Sequence, residues 1–320
     1  MSTSTPVITE TDVKAAADRI AGRVRRVAVT RADPGIVPAA AEVWLACEFM
    51  QHAGSFKARG ALNHALHHLE NGTMPREGVA IASGGNAAIA AAWAGRAAGI
   101  KVTVFVPETA PTVKVAKLRA LGADVRLEGT AYAHALEASI KHAEATGALL
   151  SHAYDNPLIA AGAGTCAAEI REQAPDLDTV MVAVGGGGLF AGTAAAMFPH
   201  NVRVVAVEPE NCRALNAALE AGGPTDVDVH SVAADSLGAR RVSETAHRLA
   251  TNPLATSVLV TDEQITAARA ALWEDRRVLV EHGAAAALAA LVSGRYSPGE
   301  GERIAVVLCG ANTDPSDLTH

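Results

Sequence analysis

Basic runs are absent from this chain. The net charge is −7, with 27 Lys and Arg against 34 Asp and Glu, which argues against a nucleic-acid scaffold. The four cysteines, Cys47, Cys166, Cys212 and Cys309, form no CxxC pair, so neither a zinc site nor a redox motif is indicated. Cys47, Cys166 and Cys212 read as buried small hydrophobes. No apolar stretch nears the length of a membrane span. The opening segment MSTSTPVITETDVK lacks the basic region and apolar core of a signal peptide. The expectation is a cytoplasmic protein with neither nucleic-acid nor membrane partner. Aromatic residues are only 3% of the total while hydrophobic residues reach 49%. The core is therefore built from Ala, Val and Leu, which suits helices packed on a sheet. At 320 residues the chain can bury one large domain or two intimate ones.

Short β-branched runs alternate with alanine-rich helical patterns. Residues 43–49, 78–83, 101–107, 123–128, 179–188, 202–209 and 303–312 read as strands, several of them apolar throughout, as strands covered on both faces require. Helical patterns occupy 86–98, 112–121, 132–146, 162–173 and 261–281. Such alternation predicts an α/β fold with open, twisted, mostly parallel sheets, and ligands at the carboxyl ends of the strands. Three of those ends carry glycine or small polar residues, in ASGGN, VGGGGL and LCGAN. Residues 293–302, SGRYSPGEGE, read as a surface loop.

Lysine is scarce, occurring at 14, 57, 101, 114, 117 and 141 and nowhere later. Lys14, Lys114, Lys117 and Lys141 sit in helical patterns among polar neighbours and read as solvated. Lys57, in GSFKARGALNHAL, has small residues before it and a helix start after it. One reading is an ordinary first-turn lysine. The other is a Schiff-base lysine, since a buried amine near other cations has a lowered pKa and attacks an aldehyde. VGGGGLFAGTAAA follows an apolar strand and opens a helix. Its backbone can approach a ligand closely and aim N–H groups at a phosphate. It is neither GxGxxG nor GxxxxGK[ST], so neither a dinucleotide site nor a P-loop is supported. In ASGGNAAIAAAWAG, Ser83 and Asn86 either cap a helix or receive a carboxylate. A lysine, a phosphate cradle and a carboxylate site together suggest pyridoxal phosphate and an amino acid.

The motifs GSFKARGA, SGGN, VGGGGL, VEPE, DSLGARR and CGANTD resemble, in order and spacing, those of the serine/threonine dehydratases among the fold-type II pyridoxal-phosphate enzymes. That group includes serine racemases and is related to tryptophan synthase β chains and cysteine synthases. The resemblance runs from about Asp12 to Asp314. It implies a large cofactor-binding domain from 1–78 and 151–320, a small mobile substrate domain from 79–150, and the cofactor in the cleft between them. It also implies a homodimer. The implied activity is elimination of water from L-threonine or L-serine, giving a 2-oxo acid and ammonia. The alternatives are another β-hydroxy amino acid such as 3-hydroxyaspartate, β-elimination or β-replacement on cysteine, a serine racemase, or a non-catalytic pyridoxal-phosphate or amino-acid binding protein.

Residue by residue, the resemblance makes Lys57 the cofactor's covalent partner and the base at Cα. Phe56 would flank the ring and Asn86 would meet its hydroxyl. Gly185, Gly186, Gly187, Gly188 and Leu189 would hold the phosphate. Cys309 would face the pyridine nitrogen, Glu281 would lie near the ring, and Ser83 would serve the substrate. Departures from the family pattern are equally specific. Gly84 stands where racemases have a second serine, which disfavours a second base. Ala87 replaces the usual histidine. Where some relatives bind a divalent cation, Glu208 and Glu210 could contribute, but Ala214 stands in place of an aspartate, and such sites need several hard ligands. GAGT at 162–165 and Tyr154 are expected to shape the substrate pocket. His64, His67 and His68 read as a solvated helix face, and Arg240 with Arg241 as a surface or interface pair.

Overall fold

A computed structural model of the chain describes residues 7–34, 36–37 and 40–318. Residues 1–6, part of the segment on which the signal-peptide reading rests, lie outside the described residues. Among the described residues no helix is long and apolar enough to cross a membrane.

The strands are β1 (Val29–Arg31), β2 (Ala41–Ala46), β3 (Val79–Ala82), β4 (Val102–Val106), β5 (Asp124–Leu127), β6 (Leu149–Leu150), β7 (Thr179–Ala183), β8 (Arg203–Pro209), β9 (Ala255–Val260) and β10 (Glu302–Val307). They form a six-stranded sheet, β1-β2-β10-β7-β8-β9, and a four-stranded sheet, β5-β4-β3-β6. Only the β1–β2 pair is antiparallel. The second sheet comes from one uninterrupted run, 79–150. The fold is thus the expected α/β arrangement of mostly parallel sheets.

The helices are α1 (Glu10–Ile20), α2 (Lys57–Glu70), α3 (Asn86–Ala98), α4 (Thr112–Ala120), α5 (Tyr132–Thr146), α6 (Pro157–Gln173), α7 (Gly188–Met197), α8 (Ala214–Ala221), α9 (Ala234–Leu237), α10 (Glu244–Ala250), α11 (Asp262–Arg276) and α12 (His282–Val292). Every residue of α7 and Gly283 through Leu291 of α12 are buried. Both helices pack on β7 and β8, and every residue of β7 is buried, as a strand covered on both faces requires. The outer strands β5 and β9 are only partly buried. The helix expected over 261–281 ends five residues early, at Arg276. Arg277 adopts the left-handed conformation at φ 55 and ends α11, and α12 then begins after Glu281.

Small residues let α6 lie against two helices backbone to backbone. A Cβ on Gly162 would fall 2.7 Å from the Cα of Gly60 in α2, and one on Gly164 would fall 2.5 Å from the Gly192 carbonyl of α7. GAGT is therefore a helix-packing device, with Gly162 against α2 and Gly164 against α7. A second correction concerns α2. His64 is buried, not solvated, and its ring meets that of His68 edge-on at 4.8 Å.

Burial, with His68 and His67 beside it, holds the His64 imidazole down to about 4 from 6.5. The fold prefers the neutral ring, whereas the unfolded chain takes up a proton below about pH 6.5. This contribution to stability is complete above that value and is lost as pH falls toward 4, by up to about 3 kcal/mol. We expect His64→Gln to flatten the fall in thermal midpoint between about pH 7 and pH 5, followed by circular dichroism. Parallel curves for parent and variant would exclude this origin.

Candidate active site

Because β7 and β10 are parallel neighbours, their carboxyl ends place the glycine loop 185–188 beside Cys309 and Gly310. The chain before α2 is pinned to the same edge. The Phe49 and Phe56 N–H groups donate to the carbonyls of Leu308 (2.8 Å) and Cys309 (3.0 Å), and Ala311 N–H donates to Gly54 (2.9 Å). Ser55 and Gly310 form an isolated bridge. Ala53 and Gly54 turn the chain with φ of 61 and 72, at a cost of about 1–2 kcal/mol for the alanine. Lys57 then opens α2. Its amine donates to the Ala153 carbonyl at 3.2 Å and lies 4.8 Å from the centre of the Phe56 ring. Burial pushes this amine down, while Cys309 and Glu281 pull it back up. A cavity of about 20 Å³ touches it, lined also by Ile81, Ala87, Ser151, His152 and Ile159.

The start of α2 is fixed by a guanidinium that sequence reading passed over. Arg59 is fully enclosed. It forks onto Glu48 (2.6 and 3.0 Å) and Glu169 (2.8 and 2.9 Å), and also donates to Thr165 Oγ1 and the Arg25 carbonyl, both at 3.1 Å. The two carboxylates outweigh burial and raise its pKa, so the charge stays. The RG after FK was the available signal, but its partners lie up to 110 residues away.

Asn86 is the first residue of α3, and neither it nor Ser83 caps that helix. Ser83 Oγ instead accepts from Gly85 N–H at 3.3 Å. Asn86 Nδ2 reaches across to both carboxylate oxygens of Glu281, each at 2.9 Å. Glu281 is buried and its carboxyl is pushed up by that burial. Cys309 is buried as well, and desolvation drives its thiol far above the ordinary range. Phe56, Lys57, Asn86, Glu281 and Cys309 thus gather at one point.

The glycine loop closes the other side. Gly187 has φ +92. A Cβ on Gly186 would enter the Tyr154 ring, 2.2 Å from its nearest atom. Tyr154, expected near the substrate, lies over this loop and donates its hydroxyl to the Arg241 carbonyl at 3.0 Å. His152 was not anticipated. Its Nδ1 accepts from Asp155 N–H at 2.9 Å, and burial keeps its pKa low, with Lys57 adding to the effect.

Glu208 and Glu210 do not converge. Both oxygens of Glu208 accept N–H groups at the start of α8, from Leu215 and Asn216 at 2.8 Å, and burial raises its pKa to about 8. Glu210 pairs with Arg295 at 3.0 Å.

Whether these residues suit a phosphate-bearing aldehyde can be judged from unused groups. Among the described residues, the N–H groups of Gly186, Gly187, Gly188 and Leu189 meet no acceptor, although α7 begins there and donors at a helix start favour anions. Ser55 Oγ is buried without a partner, two residues from the enclosed amine. The residues fit such a group.

Comparison with known proteins agrees. The family description "Pyridoxal-phosphate dependent enzyme" matches residues 32–310. The chain is 34% identical to the L-threonine ammonia-lyase of Thermotoga maritima over 96% of its own length and 76% of that protein's. Its fold superposes on the crystal structure of a T.th. threonine deaminase with a TM-score of 0.87 and 31% identity, covering 96% of this chain and 99% of that one. Maize serine racemase gives a TM-score of 0.89 at 28% identity, covering 98% and 96%.

Removing the buried guanidinium leaves Glu48 without its counter-charge. Arg59→Met is expected to lose about 3–5 kcal/mol of stability, read from urea unfolding, and adding Glu48→Gln should restore part of it. A single variant as stable as the parent would refute the role given to this network.

Proposed function

The chain belongs to the pyridoxal-phosphate dependent enzyme family, and we propose that it converts L-threonine and L-serine to a 2-oxo acid and ammonia. One observation carries the reading: an enclosed amine, Lys57, donates to the carbonyl of Ala153, and the ring of the next residue, Tyr154, lies over a helix-start loop whose N–H groups lack acceptors. The names of the most similar proteins support the hydroxy amino acid as substrate.

When bound, pyridoxal phosphate supplies an aldehyde for covalent capture and an electron-poor ring that draws charge from the substrate's Cα. The N–H groups of Gly185 through Leu189 hold its phosphate, and Phe56 flanks its ring. Asn86, steadied by Glu281, meets the ring hydroxyl. Lys57 is the covalent anchor and the base that removes the Cα proton. Burial lowers the pKa of this amine, which favours its neutral, nucleophilic form. Ser83 and the start of α3 receive the substrate carboxylate. Cys309, a neutral thiol, would face the pyridine nitrogen of the bound group and would offer it no anionic partner, which is compatible with elimination of a β-hydroxyl. Cα–H and Cβ–O break, one water is released, and hydrolysis of the enamine's imine tautomer consumes one water and frees ammonia.

The same reading takes 79–150 as a smaller domain that closes over the substrate and excludes water. It takes 1–78 with 151–320 as the larger domain and the protein as a cytoplasmic homodimer. Racemisation is disfavoured because Gly84 has no side chain to act on the opposite face from Lys57. The space exists, since a Cβ there would meet nothing nearer than Val106 Cγ1 at 3.9 Å.

Borohydride reduction followed by peptide mapping should place the cofactor on Lys57. Lys57→Ala should release ammonia from L-threonine at least about 10³-fold more slowly, and label on another residue would overturn the assignment. Separately, chiral chromatography after incubation with L-serine should show pyruvate and no D-serine. D-serine at rates comparable to ammonia release would favour the racemase.

A further inference from the structure

Two lysines of α4, Lys117 exposed and Lys114 half-buried, also reach across to residues outside the run that builds the four-stranded sheet. Lys114 pairs with Asp235 at 2.7 Å. Lys117 donates to Asn312 Oδ1 at 2.6 Å. The second contact begins a continuous chain. Asn312 Nδ2 donates to Asn86 Oδ1 at 2.7 Å and to the Ala53 carbonyl at 2.8 Å, and Asn86 Nδ2 donates to both oxygens of Glu281 at 2.9 Å.

We propose that Asn312 is a positioning residue that fixes which way round the Asn86 amide points, and that Lys117 in turn fixes Asn312. This rests on the reading that Asn86 meets the cofactor's ring hydroxyl.

The argument is one of polarity. An amide can be turned by half a rotation at almost no steric cost, so its direction must come from its neighbours. Here the neighbours at both ends are charged and single-minded. A lysine ammonium only donates, and a carboxylate only accepts. With Lys117 at one end, Asn312 must present its oxygen there and its NH₂ inward. Asn86 must then present its oxygen to Asn312 and its NH₂ to Glu281. Turning either amide sets donor against donor or oxygen against oxygen. Asn86 is thereby held with its nitrogen as the group available to an anionic oxygen beside Glu281. Asn312 has a second hold on the site, because the carbonyl it binds belongs to Ala53, in the left-handed turn that delivers Lys57. Gly54 packs so closely on it that a Cβ would lie 2.8 Å from Asn312 Oδ1. Because Lys117 and Asn86 belong to the run that builds the four-stranded sheet, while Asn312 and Glu281 do not, the amide is set only when the two parts are together.

The test uses Lys117→Met, Lys114→Met, Asn312→Asp and Asn86→Ala. The first readout is the dissociation constant of pyridoxal phosphate from the resolved protein, together with the absorption band of the bound cofactor. Lys117→Met should weaken binding about three- to tenfold and shift the band. Asn312→Asp, which keeps the shape but inverts the polarity, should weaken it by more. Lys114→Met should change neither, and Lys117→Met should add nothing in the Asn86→Ala background. Should Asn312→Asp fail to fold, the lysine variants and the double variant decide alone. Equal effects of Lys117→Met and Lys114→Met, no effect of the former, or an undiminished effect without Asn86 would overturn the proposal. A second readout needs no cofactor. With ¹⁵N-asparagine in the cofactor-free protein, the side-chain amide resonances missing in Asn86→Ala and in Asn312→Asp identify the pair. Lys117→Met should shift both and Lys114→Met neither. Unshifted amides overturn the proposal, whereas a parent that takes no label at Lys57 overturns only the functional reading.

Discussion

A guanidinium enclosed by two carboxylates sets the frame for everything around Lys57. Arg59 lies two residues into α2 from that lysine and collects four partners from three separate segments. Its planar fork can meet two carboxylates, a hydroxyl and a carbonyl at once, which an ammonium could not do in a fixed plane. Burying these charges is costly unless all of them are paired, so the arrangement is close to all-or-nothing. That property is useful here. Gly60 brings α2 flush against α6, and a helix packed through glycine has few side chains to fix its position along its axis. The charged fork fixes it instead, and Lys57 projects from a backbone that is held in place.

The groups around Lys57 all move toward their neutral forms. Burial pushes the lysine amine down and the Glu281 carboxyl and Cys309 thiol up, as removal from water does. Glu281 and Lys57 each partly restore the other's charge. At the start of α7 the polar feature is the backbone itself, since the N–H groups of Gly186 through Leu189 meet no acceptor among the described residues and Gly187 tolerates a φ of +92.

Much of this was legible in the sequence, for definite reasons. Strands covered on both faces announce themselves as apolar runs, and β3, β4, β7, β8 and β10 were read that way. β1 and β6, at three and two residues, are too short to carry a pattern, and β9 is a half-buried edge. No glycine or proline marks the end of α11, because Arg277 itself takes the left-handed turn. Lys57 and the glycine loop stood out by local contrast of residue type. Arg59, Asn312 and His152 did not, since each acquires its meaning from partners that only the fold brings close. Lys117 stays exposed and Lys114 half-buried, as a helical pattern can show; what it could not show is the partner each meets across the molecule, Asn312 and Asp235.

The two sheets are joined unequally, and this bears on how a cleft between them would open. Behind Lys57 the junction is apolar: Ala58, Leu62 and Leu66 of α2 meet Trp93 and Ala94 of α3 in one buried cluster with Ile20. Across the mouth the links are polar, with Lys114 on Asp235, Lys117 on Asn312 and Asn86 on Glu281. Apolar contact cannot be partly exchanged for water without loss, at roughly 25 cal/mol per Å² exposed. The exposed contacts of Lys114 and Lys117 can, because water replaces most of what they lose. The side that separates cheaply is therefore the polar one, and the side that stays is the one holding the start of α2. A motion of that kind would break the Asn86–Glu281 contact and spare the apolar cluster at the start of α2.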